Sequence, residues 1–391
     1  MFIVIFLLFW LSLAIVAYTY VGYGLIIYIL SKVFGKNKAP SVPPDHDLPE
    51  ITLLVAAYNE EKYIEQKIKN SLELDYPANK VRLWIVADGS TDKTVELCQG
   101  YPAVTVFHTP ERKGKIHAVN RIMEKVETPI VIFSDANTDL NKEALKNIVR
   151  HFADPKVGGV AGEKRIVSLS QDNASGAGEG LYWKYESALK TMDSKFTTAI
   201  GAAGELFAVR KELYVNPHTD TIIEDFVTSM KVVAAGYRFA YEPDAYAIET
   251  ASASIKDEWK RKVRISAGGI QAILRLPELL NVFKYGWISW QYVSHRAMRW
   301  SLAPLALLLV LVTNSILIPY AAFYQLTFVA QCAFYFLALA GHLLRDKKIG
   351  IKGFFIPYYF TMMNLSVFAG ALRLLRKKQS VVWEKSARAE K

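Results

Sequence analysis

The sequence is short of cysteine. Cys98 and Cys332 are the two in 391 residues, and their separation excludes both a disulfide framework and metal-ligand spacing. A reducing compartment fits the part that holds Cys98. Glycine and proline, 22 and 15 residues, are too few for a collagen-like or low-complexity chain, and a hydrophobic content of 52% excludes general disorder. Neither G-x-G-x-x-G nor G-x-x-x-x-G-K-[ST] occurs, so neither a dinucleotide fold nor a P-loop is supported. The most telling absence is local. No Asp, Glu, Lys or Arg lies between Met1 and Ser31 or between Ser301 and Leu344. A bilayer-spanning helix needs about 20 apolar residues, so charge-free runs of this length predict a membrane protein.

What is present is distributed around those runs. Residues 1–34 read as one transmembrane helix, too long for a signal-peptide core and without its charged start or small-residue cleavage site. Lys32, Lys36 and Lys38 follow it and predict a cytoplasmic face for what comes next. Residues 35–49 form a Pro-rich linker and residues 50–275 a soluble domain large enough for a full core. Residues 276–300, where Trp287, Trp290, Tyr292 and Trp300 interleave with His295, Arg296 and Arg299, suit an interfacial helix that meets lipid headgroups. Residues 301–375 read as a transmembrane hairpin turning near Pro319, plus a further apolar segment. Basic residues on both sides of 354–375 leave a span and an in-plane or re-entrant segment both open. Residues 376–391 are a basic tail. The formal charge of +10, 47 Lys+Arg against 37 Asp+Glu, is explained by anionic lipid beside the membrane segments, so no nucleic-acid partner is expected. A channel or transporter would place ionisable residues inside its spans; the 301–344 run has only His342.

In the soluble segment, β-branched runs at Ile51–Ala56, Arg82–Ala87, Val104–His108 and Ile130–Ser134 alternate with helical patterns at Glu60–Leu74, Thr91–Gln99, Lys115–Lys125 and Lys142–Phe152. This predicts an α/β domain with a mostly parallel sheet. Ligands of such sheets bind at the carboxyl ends of the strands. There the sequence places Ala57-Tyr58-Asn59-Glu60, Asp88-Gly89-Ser90-Thr91-Asp92 and Asp135-Ala136-Asn137-Thr138-Asp139. Carboxylates gathered on one rim suit a hard divalent cation sharing its shell with phosphate oxygens. Arg112, Lys113 and Lys115 are candidates for the diphosphate. Asp220, Glu224 and Asp225 add acid groups, one of them spare for proton transfer.

In order and spacing these motifs resemble the membrane-integrated family-2 glycosyltransferases, the group that includes cellulose, hyaluronan, chitin and poly-N-acetylglucosamine synthases. The resemblance covers residues 50–275 and the flanking membrane helices, and implies a GT-A-like nucleotide-sugar-binding domain. It implies Ala57, Tyr58, Glu60, Asp88, Lys115, Asp135 and Arg261 as donor-binding residues, with Asp88 on the nucleobase and Lys115 near the diphosphate. Asp135 and Asn137 fall at the metal-binding D-x-D, with Asn137 replacing its second aspartate; the cation would be Mg²⁺ or Mn²⁺. Glu224-Asp225 resembles the pair whose aspartate is the base, and Arg264 joins them as a catalytic candidate. Gly204 and Glu205 lie near the acceptor. Where processive members carry Q-x-x-R-W, this chain has Arg261-Lys262-Val263-Arg264-Ile265, which keeps only the arginine and puts processivity in question.

The expected reaction is inverting transfer of a sugar, expected to be UDP-linked, to a growing polysaccharide. The alternative is single-sugar transfer to a lipid carrier or lipid acceptor, and a non-catalytic homologue is kept open by Asn137. The expected setting is a bacterial inner membrane with the catalytic domain in the cytoplasm, in contact with membrane lipid and with an oligomer or secretion partner completing export. Trp183 is read as a sugar platform or, alternatively, a core aromatic. His117, His151 and His218 show no ligand spacing.

Overall fold

The computed structural model describes residues 2–35, 40–167, 174–252, 254–344 and 352–376. Lys36, Lys38, Arg345, Lys347, Lys348 and the tail from 377, on which the charge argument leaned, lie outside the described residues.

Among the described residues eight strands build one sheet: β1 (Ile51–Ala57), β2 (Val81–Asp88), β3 (Val104–Thr109), β4 (Ile130–Asp135), β5 (Asp139–Leu140), β6 (Val157–Val167), β7 (Leu206–Arg210) and β8 (Arg238–Thr250). Their spatial order is β3-β2-β1-β4-β7-β6-β8-β5. The first four are parallel neighbours. Strand β7 runs antiparallel to β4 and β6, and β6 pairs with β8 in parallel. The sheet is therefore α/β and mostly parallel, with an antiparallel strand inserted at its centre.

Alternation along the strands divides the core in two. Leu53 and Val55 of β1, with Leu83 and Ile85 of β2, face the helices Ile64–Leu72 and Ala144–Val149. Leu54, Trp84, Val86 and Phe133 face the helices Lys115–Met123 and Glu224–Ala234. Side chains of successive strand residues point to opposite faces, and both faces of this sheet are covered, which is why the parallel strands read as nearly continuous apolar runs.

Among the described residues four helices are long and apolar enough to cross a membrane: Phe2–Val33, Leu302–Tyr320, Ala322–Leu343 and Gly353–Leu375. The first contains a π-turn at Tyr18–Gly22, and its amino-terminal half packs against Leu302–Leu317, with Phe9 buried beside Val310 and Leu317. The last lies along the soluble-domain helix Ile255–Arg275. Tyr359 Oη donates to Glu258 at 2.9 Å, Ser266 and Ser366 hydroxyls meet at 3.0 Å, and Gly370 sits against the Val263–Ala267 backbone so closely that a Cβ would lie 2.7 Å from Ala267 N.

The interfacial placement of 276–300 needs correction. Trp287 is exposed, but Tyr292, His295 and Arg296 are buried within protein. Trp290 Nε1 donates to Tyr18 Oη at 2.8 Å, and His295 Nδ1 lies 2.6 Å from Asp193. The aromatic and basic residues join the first helix to the soluble domain. Partner carboxylates at 186 and 193, more than 100 positions earlier in the chain, take the role that headgroups were expected to play.

Candidate active site

The ends of β1, β2 and β4 form the rim of the site, and their turns brace one another. Asn59, with φ of 51°, accepts from Thr91 N at 2.8 Å and donates its own N–H to Ser90 Oγ at 3.1 Å. Glu60 N donates to Thr94 Oγ1 at 2.8 Å. Asparagine tolerates the left-handed region because its side chain bonds locally. Beneath β4, the buried Lys67 ammonium holds Ser134 Oγ at 2.7 Å and the Thr138 carbonyl at 2.9 Å. This fixes the loop that carries Asp135 and Asn137.

Asp88 does not stand free at the rim. Its Oδ1 accepts from Lys113 N at 3.1 Å and its Oδ2 from Gly114 N at 2.6 Å. It therefore anchors the loop that delivers Lys115. Gly89, with φ of 66°, packs under that loop, where a Cβ would lie 2.7 Å from Arg112 N. The Arg112 guanidinium covers the Tyr58 ring at 3.6 Å, so a stacked arginine–tyrosine pair lines this part of the rim.

The charged centre lies between β4, the loop before β7 and the start of helix Glu224–Ala234. Lys115 Nζ bridges Asp135 Oδ1 at 2.7 Å and Glu224 Oε1 at 3.0 Å. A methyl group built on Gly204 would lie 3.3 Å from Lys115 Nζ, 3.6 Å from Asp225 Oδ2 and 3.7 Å from Asp135 Oδ2. Three ionic groups thus converge on a point left open by a glycine. Burial pushes the Asp225 carboxyl up to about 7, with the neighbouring Glu224 charge adding to the rise. Burial opposes the charge of Lys115, but Asp135 and Glu224 outweigh it and hold the ammonium well above its ordinary value. Burial lowers Arg264, which feels Glu224, Asp225 and Asp135 as its opposing anions.

Glu205 and Arg261 occupy a second layer. Glu205 pairs with the buried Lys164, which also binds Glu249, and Arg261 reaches Glu205 at 3.7 Å and Glu258 at 3.6 Å. Glu205 therefore supports the Gly204 backbone through ion pairs. Asn137 donates from Nδ2 to Glu249 Oε1 at 3.1 Å, and Asp139 opens β5 and accepts Gln66 Nε2 at 2.6 Å. Among the described residues no group of three or more His, Cys, Asp and Glu side chains converges as a metal site. The residues that could hold a cation are Asp135 and, on the same loop, Asn137 through its amide oxygen. That donor set fits a hard divalent ion whose remaining positions are diphosphate oxygens and water, and both residues line the cavity of the site.

One cavity of about 880 Å³ joins these parts, from Tyr58 and Asp88 past Gly204 and Asp225 to Trp183, Lys190 and Asn364. Its far end is a network not anticipated from the sequence. Glu186 is paired with Arg296, and also lies 3.3 Å from His295 and 3.5 Å from Arg299; Asp193 holds His295 and Tyr23. A usable signal existed: Trp183, Glu186 and Lys190 recur at i, i+3 and i+7 on one helix, the spacing of a single face.

Residues 52–215 match the family described as glycosyl transferase family 2. Poly-beta-1,6-N-acetyl-D-glucosamine synthase of Staphylococcus aureus is 32% identical over 253 residues, 62% of this chain and 60% of that protein. The synthase of the same name from Staphylococcus epidermidis is 28% identical over 263 residues, 64% of this chain and 62% of that protein. The chain thus spans about three fifths of the length of these curated relatives. A mannosyltransferase from Pyrobaculum calidifontis, solved with GDP-Man and Mn²⁺, superposes with a TM-score of 0.69 at 24% identity, covering 95% of this chain and all of that one. That likeness gives the GT-A type of fold to the sheet described above. With its motifs on the strand ends and the family match across them, residues 52–215 are similar to the glycosyl transferase family 2 domain.

Proposed function

We propose that the protein is an inverting, membrane-integrated glycosyltransferase that extends a polysaccharide from a UDP-linked sugar, with N-acetylglucosamine the sugar favoured by its curated relatives. The observation that carries this reading is the convergence of Lys115, Asp135 and Asp225 over Gly204. A cation, a counter-charge for phosphate and a base are each within reach of one opening.

In the mechanism, the Tyr58–Arg112 wall and the Asp88-anchored loop hold the nucleoside. Lys115 and Arg264 neutralise the diphosphate, where preorganised charge is worth most as the leaving group develops. Asp135, with the Asn137 oxygen, would hold Mg²⁺ or Mn²⁺. When bound, such an ion stabilises negative charge on the departing diphosphate. Asp225 takes the proton of the acceptor hydroxyl. The new bond joins that oxygen to the anomeric carbon, the bond from that carbon to the diphosphate oxygen breaks, and nucleoside diphosphate leaves with the bonding pair. Glu224 keeps Lys115 in place and raises the basicity of its neighbour.

The setting is a bacterial inner membrane with the domain on the cytoplasmic side. Full polymer export calls for a secretion partner or an oligomer. The test is purification in detergent and assay against a panel of nucleotide sugars with and without Mg²⁺ or Mn²⁺, following nucleoside diphosphate release and product length. Cation-dependent release from UDP-N-acetylglucosamine with a product of many sugars is expected. A product limited to one sugar on lipid would replace this reading with the lipid-carrier alternative.

A further inference from the structure

We propose that Trp183 and Lys190 form a subsite for a pyranose ring of the acceptor glycan, behind the sugar whose hydroxyl is activated by Asp225. The inference deepens the glycan-transfer reading and rests on it.

Both residues line the cavity that contains Asp225 and Gly204. They project from one face of the helix Ala174–Phe196, seven positions apart, and reach the β8 side of the sheet, four places from β1 in the strand order. In the strand order the nucleoside wall belongs to β1 and β2, while Lys190 lies beside Tyr241 of β8.

Each offers a donor that the protein leaves unused. Trp183 Nε1 is buried without a hydrogen-bond partner. The Lys190 side chain is buried, and among the described residues its ammonium makes no hydrogen bond or ion pair; it lies 6.0 Å from the ring centres of both Trp183 and Tyr241. Unpaired donors in a buried setting are costly unless a ligand or water satisfies them. The neighbouring charges are already committed. Arg296 and Arg299 are drawn to Glu186, His295 to Asp193, and Lys164 to Glu205 and Glu249.

What remains is the Trp183 N–H and the Lys190 ammonium beside aromatic rings, with Arg299 Nε also left without a hydrogen-bond partner at the same cavity. A dianionic group would call for several uncommitted cations. A sugar ring presents hydroxyl, ring and amide oxygens as acceptors, together with a C–H face that packs on an aromatic plane. Ile265, which lines the cavity, is not aromatic, and the Trp183 ring lines the same cavity with the Lys164 ammonium 5.0 Å and the Lys190 ammonium 6.0 Å from its centre.

The test uses the full-length enzyme in detergent with UDP-N-acetylglucosamine and β-1,6-linked N-acetylglucosamine oligosaccharides of one to four units. In the wild type the acceptor KM should fall as the oligosaccharide lengthens. In Trp183→Phe, which keeps a ring and removes the N–H, and in Lys190→Met, the advantage of the longer acceptors should shrink about tenfold, the scale of one lost hydrogen bond in a buried site. Lys190→Arg should restore part of it. Uridine nucleotide affinity, measured by calorimetry, reports whether each variant has folded. Unchanged length dependence in folded variants would overturn the subsite and leave the glycan-transfer reading standing. A wild type that transfers to none of the oligosaccharides would overturn that reading, and the subsite with it.

Discussion

Lys115 Nζ sits 2.7 Å from Asp135 Oδ1, so the residue proposed to hold the cation and the lysine proposed for the diphosphate are held as a pair. Lys115 starts the helix Lys115–Met123, and Asp135 ends β4. The pair sets the spacing between the positive and negative parts of the centre. Replacing Lys115 with Met strands Asp135 and Glu224 without their counter-ion, and removing one partner from a buried pair costs about 3–5 kcal/mol. A lowered melting temperature and a loss of turnover of about a hundredfold or more are expected. Thermal melts and nucleoside diphosphate release check both.

Asp225 is the residue assigned to proton transfer. Asp225→Asn keeps the shape of the side chain and removes the basic oxygen. Donor affinity should persist while kcat falls by a factor of about 10² to 10⁴. Calorimetry with the nucleotide and steady-state kinetics separate the two, and full turnover in this variant would remove Asp225 from the role of base.

The raised Asp225 carboxyl gives the reaction a pH signature. With its titration pushed up to about 7, mainly by burial and next by Glu224, the carboxyl is protonated and idle as a base below that pH. Activity should therefore climb with pH through roughly neutral rather than through the ordinary carboxylate range near 4. A profile of kcat/KM from pH 5 to pH 9 in a constant ionic strength buffer reads this limb directly.

Asn137 offers a case where a metal-ligand argument and a packing argument oppose each other. A carboxylate at this position would look like restoration of the second acid of the motif. The Asn137 Nδ2 group, however, donates to Glu249 Oε1 at 3.1 Å, and Asn137→Asp would set two carboxylates against each other. Lower stability and no gain in cation affinity are expected. Melting curves with and without Mn²⁺, compared with wild type, decide it.

The helix Lys352–Leu375 packs on the soluble-domain helix Ile255–Arg275, from Tyr359 to Gly370, and on the apolar helix Ala322–Leu343, where a Cβ on Gly341 would lie 2.5 Å from Phe354 O; the in-plane arrangement is tested by where its ends lie. Single cysteines at Gly353 and Arg376, in a Cys332→Ser background because Cys332 is exposed, should both react with a membrane-impermeant maleimide from the cytoplasmic side. Labelling from opposite sides would make this segment a span.

Much of this protein was determined locally. Charge-free runs mark the apolar helices because a bilayer admits few charges, and the β-branched runs ending in Tyr58, Asp88 and Asp135 place a rim of polar groups at the strand ends because parallel strands expose their carboxyl ends together. Glu224 and Asp225 were legible as a pair because they are adjacent. The tertiary structure decided the partners. Asp88 binds loop amides, Glu205 is committed to Lys164, and Asn137 serves Glu249, none of which spacing along the chain reveals. His295 and Arg296 carried a composition suited to lipid headgroups, and burial against Glu186 and Asp193 makes them part of the protein interior instead. Composition states which charges a segment carries; the energy of a buried charge depends on what lies within about 4 Å of it, and that distance is set only when segments remote in sequence are packed together.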